Sequence, residues 1–201
     1  MSNLPAYIFA LLSIPLALLY ANAIEWVAHR YLLHGVGKKK TSMWNFHWGE
    51  HHRNCRRHDH IDPSYERSVF GWHAQGKEAL GIALMVVAHL PLAPWAPLFV
   101  ATLLFTAAEY MYKHGRSHRD PAWAREHLTW HYDHHMGKNQ DANWGVTHPW
   151  FDQLLGTRVH YAFTEAEAAD LARRGVAAND SPDRRPSVPP PAGPSAEEHA
   201  A

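Results

Sequence analysis

HWGEHH occupies residues 47–52 and HYDHH occupies residues 131–135. Each stretch places three histidines in a few positions and ends in a histidine doublet. With 18 histidines in 201 residues, the doublets His51-His52 and His134-His135 are no more than chance placement supplies. The information lies in what surrounds them. His29 and His34 precede the first triplet, and His114 and His118 precede the second. The interval from His34 to His47 is 13 residues, and so is that from His118 to His131. Glu25-Trp26 stands before the first pair and Glu109-Tyr110 before the second, each near the end of an apolar run. The chain therefore reads as two related halves that each offer five histidines.

Helical geometry sorts these side chains. Residues four apart lie about 40° apart around an α-helix, and residues three apart about 60°. His47 and His51 are expected to share a face, as are His114 and His118, and His131 with His134 and His135. His52 turns about 100° further round, towards a neighbouring metal. His29 and His34 are five apart and do not fit one face of a regular helix. Ten imidazoles exceed the roughly four to six ligands of a single ion, so two adjacent metals are inferred. Imidazole suits Fe, Zn, Cu or Ni and is poor for Ca or Mg. Spacing alone does not separate iron from zinc, which accepts the same imidazoles but has no redox chemistry.

Ligating imidazoles usually donate their other ring N–H to a carboxylate or carbonyl. Glu25, Glu50, Glu109, Asp133 and Asp141 are placed to accept it, and a solvated charge is the alternative for each. His127 and Asn143 are further candidates for support behind the ligands. His58, His60 and His73 read as surface residues in a polar segment. His89 reads as a hydrogen-bonded side chain within an apolar helix. His148 stays open between ligand and pocket lining, and His160 and His199 read as structural or surface. Cys55 is the single cysteine, so no internal disulfide forms. It reads as an ordinary thiol, with metal ligation as the alternative. No catalytic side chain is expected beyond the metal centre.

Around these motifs the chain is segregated. Residues 1 to 24 contain no charged side chain, and residues 79 to 108 contain no Asp, Glu, Lys or Arg. A spanning helix needs about 20 apolar residues, and Leu4 to Ile24 is long enough. A cleaved signal peptide is the rival, but no Lys or Arg precedes Arg30 to make its positive n-region. Pro91, Pro94 and Pro97 divide the second run into two shorter helices around a PLAPWAP turn. Arg30, Lys38 to Lys40, Arg53, Arg56 and Arg57 follow the first segment, and Lys113, Arg116 and Arg119 follow the third. The positive-inside rule then puts the N-terminus outside and residues 30–76 and 113–201 in the cytoplasm. The expected fold is all-α: a multi-pass membrane protein with three hydrophobic segments and a cytosolic, histidine-rich helical cap. Residues 1–162 form the catalytic domain. A short exposed helix over 163–178 follows, with Thr164 and Glu167 as a capping box and Gly175 as its stop. The proline-rich tail, 179–201, cannot bury a core. Equal counts of 19 basic and 19 acidic residues argue against nucleic acid as a partner.

HRYLLH (29–34), HWGEHH (47–52), HGRSH (114–118), HYDHH (131–135) and NWGVTHPWFDQLLGT (143–157) together resemble the fatty acid hydroxylase/sterol desaturase superfamily. The likeness runs from about Glu25 to Thr157. It implies a membrane enzyme with two irons held by His29, His34, His47, His51, His52, His114, His118, His131, His134 and His135 on the cytosolic side. It also implies O2 as co-substrate, with hydroxylation of an unactivated C–H, or desaturation, of a lipid. A fatty-acyl lipid is expected, with sterol, carotenoid or other isoprenoid as the alternative and a zinc-binding membrane protein as the rival from another class. With no fused electron carrier, electrons are expected from a separate donor such as a ferredoxin or a cytochrome b5-type protein with its reductase. Trp26, Trp44, Trp48, Tyr110, Tyr112 and Trp130 would line the lipid entry or form an interfacial aromatic belt.

Overall fold

Leu4–Val27 is one continuous helix, α1, that carries Pro15 without breaking. At 1.5 Å per residue it is about 36 Å long. It is the one helix among the described residues that is long and apolar enough to cross a membrane. The computed structural model describes residues 4–174. Gly175, His199 and the proline-rich tail lie outside the described residues.

The PLAPWAP turn forms as its prolines require. Ala74–His89 makes α3, Leu90–Leu92 a single 3-10 turn, and Pro97–Ser117 makes α4 with Pro97 in its first turn. Neither α3 nor α4 is by itself both long and apolar enough to cross a membrane. With 16 residues, α3 reaches about 24 Å, short of the ~30 Å hydrocarbon thickness. The last turns of α4 carry Glu109, Lys113 and Arg116, which dilute its apolar character. The hairpin and α1 pack together, α1 chiefly on α4 and α3 on α4. Their outward faces stay apolar and uncovered: Phe9 is 82% exposed, Trp95 81% and Phe105 62%.

Beyond the ends of these helices the chain folds into a cap of short elements. They are α2 (Arg53–Arg57), α5 (Pro121–His127), α6 (Thr129–Met136), α7 (Trp150–Leu154) and α8 (Glu165–Arg173). Every described element of the chain is helical. Local chemistry sets the boundaries. Asp120 caps α5 by accepting from the Trp123 N–H, with Pro121 next to it. Arg56 donates to the carbonyls of His135, Met136 and Gly137, satisfying the free C-terminal acceptors of α6. Thr164 caps α8 as its motif predicts. Most of α8 is exposed, but Glu167 is buried and makes a two-pronged ion pair with Arg125 of α5, which docks the helix on the cap.

The core of the cap is polar. Of the twelve largest fully buried side chains, nine are histidines. Burying so many imidazoles is costly unless each nitrogen finds a partner.

Candidate metal centre

Two of the histidine-bearing segments are π-helical rather than α-helical. Ala28–Leu33 continues α1 and Phe46–His52 leads into α2. In the first, the His34 N–H donates to the His29 carbonyl at 2.9 Å, an i to i+5 bond. This wider turn puts residues five apart on one face, which accounts for the His29–His34 spacing that a regular helix cannot. It also revises the second box. His47 shares its face with His52, their Nε2 atoms 3.2 Å apart, and His51 points elsewhere. In the second half the carriers are α4 and α6, both α-helical, so the shared faces have spacing four: His114 with His118 and His131 with His135. The two halves therefore run 5-13-5 and 4-13-4. The extra residue in each box of the first half is absorbed by a π turn.

The ten histidines gather into two sets of five. Potential donor atoms of His29, His34, His47, His52 and His134 lie within 4.8 Å of one another. Those of His114, His118, His131 and His135 form a second such group, and a further group joins His51 and Cys55 to His118 and His135. Each half thus lends one histidine to the other's set: His134 crosses to the first and His51 to the second. The sets abut through the doublets, with the His52 and His135 rings 4.3 Å apart.

Six of the ten rings are oriented by an acceptor at Nδ1. His29 donates to the Trp144 carbonyl at 2.6 Å, His134 to the Ala142 carbonyl at 2.6 Å and His118 to the His60 carbonyl at 3.0 Å. His51 pairs with Asp62 at 2.8 Å, His114 with Glu78 at 2.7 Å and His34 with Asp141 at 3.3 Å. A ring that donates through Nδ1 is left with a lone pair at Nε2.

These lone pairs test whether the site suits a cation. In the first set, Nε2 atoms meet at 3.0 Å (His29–His47), 3.0 Å (His34–His52), 3.2 Å (His47–His52) and 3.1 Å (His52–His134). His29, His34 and His134 have bare Nε2 atoms, so only His47 and His52 can supply a proton. At most two of the four contacts are hydrogen bonds, and the rest set lone pair against lone pair. A cation between them removes the conflict. Metal–nitrogen bonds of about 2.1 Å at right angles place neighbouring nitrogens ~3.0 Å apart, which matches. In the second set the Nε2 atoms of His51, His114 and His135 are buried without any partner, as donors awaiting an ion would be. Burial, reinforced by the neighbouring imidazoles, holds His47, His52, His131 and His135 well below the ordinary histidine pKa. The neutral ring is the form that ligates a metal.

The supporting residues differ from those expected. Asp141 does reach an imidazole, His34, and also pairs with Lys38. Glu50 points outward to Lys77, and Glu109 pairs with Lys113 and stands 3.6 Å from His148. His127 is exposed and stacks on Trp123. Asp133 binds Arg158 and the Ala162 N–H, fastening α6 to the segment before α8. Glu25 and Asn143 act one step removed. The Glu25 carboxylate accepts from the Val146 and Thr147 N–H groups and the Thr147 hydroxyl. Asp152 accepts from the Trp144 and Gly145 N–H groups and from the Trp26 indole. Asn143, with φ +58°, pairs both its amide groups with Val159. Together these clamp the loop of the NWGVTHPWFDQLLGT element so that the carbonyls of Ala142 and Trp144 face His134 and His29. At Gly145 any Cβ would collide with the His148 carbonyl.

Sequence reasoning missed Asp62, Glu78, Tyr65 and His60. Asp62 and Glu78 are remote in sequence from the histidines they hold, so spacing gave no signal. Glu78 also accepts from the Tyr65 and Tyr110 hydroxyls. His60, expected at the surface, is fully buried. His58 is exposed, His73 bonds the Ser68 carbonyl, and His89 pairs with Tyr20. His148 stacks on Trp150 and belongs to neither set. Cys55 is buried with its sulfur 3.4 Å from Nδ1 of His118 and 3.9 Å from Nδ1 of His51. That is the side opposite Nε2, and burial raises the thiol well above its ordinary pKa. Both favour a packed thiol, although its sulfur is grouped with donor atoms of His51, His118 and His135.

Asp62 offers a direct test. Burial opposes its ionisation, but the hydrogen bond and charge of His51, with bonds from Ser64 and Asn54, outweigh this and hold it at about 2. Asp62→Ala is expected to weaken metal binding by about 10–100-fold. Metal analysis after dialysis against graded chelator measures this, and unchanged retention would refute the orienting role.

An apolar cavity of about 460 Å³ lies between α1, α3 and α4, with His29, Glu78 and Tyr110 in its wall. Of the aromatic residues expected at a lipid entry, Trp44 and Tyr110 line it. Trp48 packs on His34 and His52, Trp26 and Trp130 hold the loop, and Tyr112 is exposed.

No curated protein and no solved structure matches the chain. The family model described as fatty acid hydroxylase matches residues 14–157, which take in the C-terminal part of α1, the hairpin, both histidine sets and the clamped loop. The chain belongs to the fatty acid hydroxylase family.

Proposed function

We propose that the protein is a membrane-embedded, O2-dependent di-iron oxidoreductase that hydroxylates an unactivated C–H of a fatty-acyl lipid. The observation that carries this reading is the apolar cavity between α1, α3 and α4, which has His29 of the first imidazole set in its wall. A hydrocarbon tail fits such a space. The uncovered apolar faces of α1 and the hairpin supply a lipid-facing belt. The basic residues that follow α1 and α4 favour the cap on the cytosolic side and the N-terminus outside.

When bound, two irons would supply the oxygen chemistry: R–H, O2, two electrons and two protons give R–OH and water. The first set is His29, His34, His47, His52 and His134, and the second is His51, His114, His118, His131 and His135. The chain's own work is to position and to exclude. Asp62, Glu78 and Asp141 orient ligand rings, and the clamped loop does the same through backbone carbonyls. Leu18, Leu33, Ile82, Met85 and Leu103 hold an acyl chain and keep water from it. Electrons come from a separate carrier protein.

Lipid extracts of cells with and without the gene test the reaction. A gain of one oxygen on an acyl lipid is expected. A loss of two hydrogens would instead mark a desaturase, and oxygen on an isoprenoid would move the substrate class. The cavity has its own test. Gly81 lines the cavity, and a Cβ there meets only Trp44, at 3.8 Å, so a larger side chain is accommodated at its root. Gly81→Phe is expected to lower turnover by about 10-fold or more with metal content unchanged. Full turnover in that variant would remove the cavity from the proposal.

A further inference from the structure

His60 has no role in the description so far beyond its carbonyl, yet its side chain is fully buried. Its ring lies 4.6 Å from that of His118, tilted by 31°, and edge-on to His135 at 5.3 Å and His131 at 5.8 Å. Both of its ring nitrogens are buried without a hydrogen-bond partner. An imidazole carries at least one N–H, and a buried N–H needs an acceptor.

The backbone is bent to put the ring there. Asp59 and His60 both adopt left-handed conformations, φ +49° and +77°, which cost energy in non-glycine residues. The turn is pinned by the His60 N–H to the Cys55 carbonyl and the Asp62 N–H to the His118 carbonyl. An exposed histidine would need none of this.

His60 stands one layer outside the second set. It is absent from the groups whose donor atoms lie within 4.8 Å of one another. An ion held by five imidazoles keeps a sixth position. A group held in such a position on the side of His60 would give its N–H an acceptor. We propose that His60 is the hydrogen-bonding partner of a small exogenous ligand, a water, hydroxide or small anion, on the ion of the second set. This rests on the two-metal reading. It also divides labour between the ions, since His29 of the first set lines the lipid cavity and no imidazole of the second set does.

Azide is a suitable probe, titrated spectroscopically on protein loaded with two ferric ions. His60→Gly keeps the left-handed backbone and removes the ring, and His60→Asn serves if the glycine variant does not fold. Loss of a hydrogen bond to a charged ligand is expected to weaken azide binding about 10–100-fold while both ions stay bound. Asp59→Gly relieves the same turn without touching the ring and is expected to bind azide as the unmodified protein does. Unchanged azide affinity in the His60 variants, an equal loss in Asp59→Gly, or loss of an ion in place of azide would each overturn the proposal, as would failure of the two-iron protein to bind azide. Failure of the unmodified chain to hold two ions would instead refute the two-metal reading itself.

Discussion

His134→Ala is expected to lower turnover at least 100-fold and to weaken the same ion that His29→Ala weakens. His51→Ala is expected to weaken the other ion, the one that His118→Ala weakens. Removing a residue that merely orients a ligand costs about 10–100-fold in metal affinity, and removing the ligand itself costs more. The assignment runs against the order of the chain, because His134 sits in the second half and His51 in the first. It follows from the contacts of His134 Nε2 with His52 at 3.1 Å and of the His51 ring with His118 at 4.4 Å. Stepwise chelation of single and paired variants measures it. Residues that share one ion are non-additive, so His29→Ala with His134→Ala should weaken that ion little more than either alone. If His134→Ala instead couples to His118→Ala, the crossed arrangement is wrong.

Removal of metal is expected to have the second large effect, on stability. Ten imidazoles fill the core of the cap, and without cations many of their nitrogens are unpaired or opposed. Binding to the folded state alone contributes about 4 kcal/mol per ion at a free metal concentration 1,000 times Kd, or about 8 kcal/mol for two. For a chain of this size, chelation should lower the thermal midpoint by roughly 15–30 °C. Acid should act in the same direction. Burial lowers His47, His52, His131 and His135 well below 6.5 in the folded state. Below that pH the unfolded chain binds more protons than the folded one. Stability is therefore present above pH 6.5 and is lost as pH falls, by up to about 1.4 kcal/mol per pH unit for each histidine kept neutral. Thermal scans with and without chelator from pH 8 to pH 5 check both statements. A midpoint indifferent to chelator would mean that the histidines form a self-sufficient polar core.

Much of the centre is legible in the sequence because repetition is. The equal intervals of 13 residues and the two doublets announce ten histidines and two halves, and the prolines at 91, 94 and 97 announce the hairpin. The supporting shell is less legible. Asp141 is found because it lies close behind HYDHH (131–135). Asp62 and Glu78 are not, since each meets its histidine across the fold, 11 residues from His51 and on a different helix from His114. Glu50 and His127 mislead for the converse reason: they are near ligands in sequence, but their helical faces turn to solvent. His60 misleads because a polar, charged neighbourhood hides a left-handed turn that inverts its direction.

The sequence by itself picked out the ten histidines that the fold gathers, and determined that helices carry them and that they divide into two matching halves. These are properties of spacing, and spacing survives any arrangement in three dimensions. Tertiary structure alone decided that two of the boxes are π-helical, that His51 and His134 change sides, and that His60 faces inward. A residue's direction depends on the local turn and on what packs against it. One residue more or less per turn redirects a ring by about 100°, and nothing in the order of the residues records that choice.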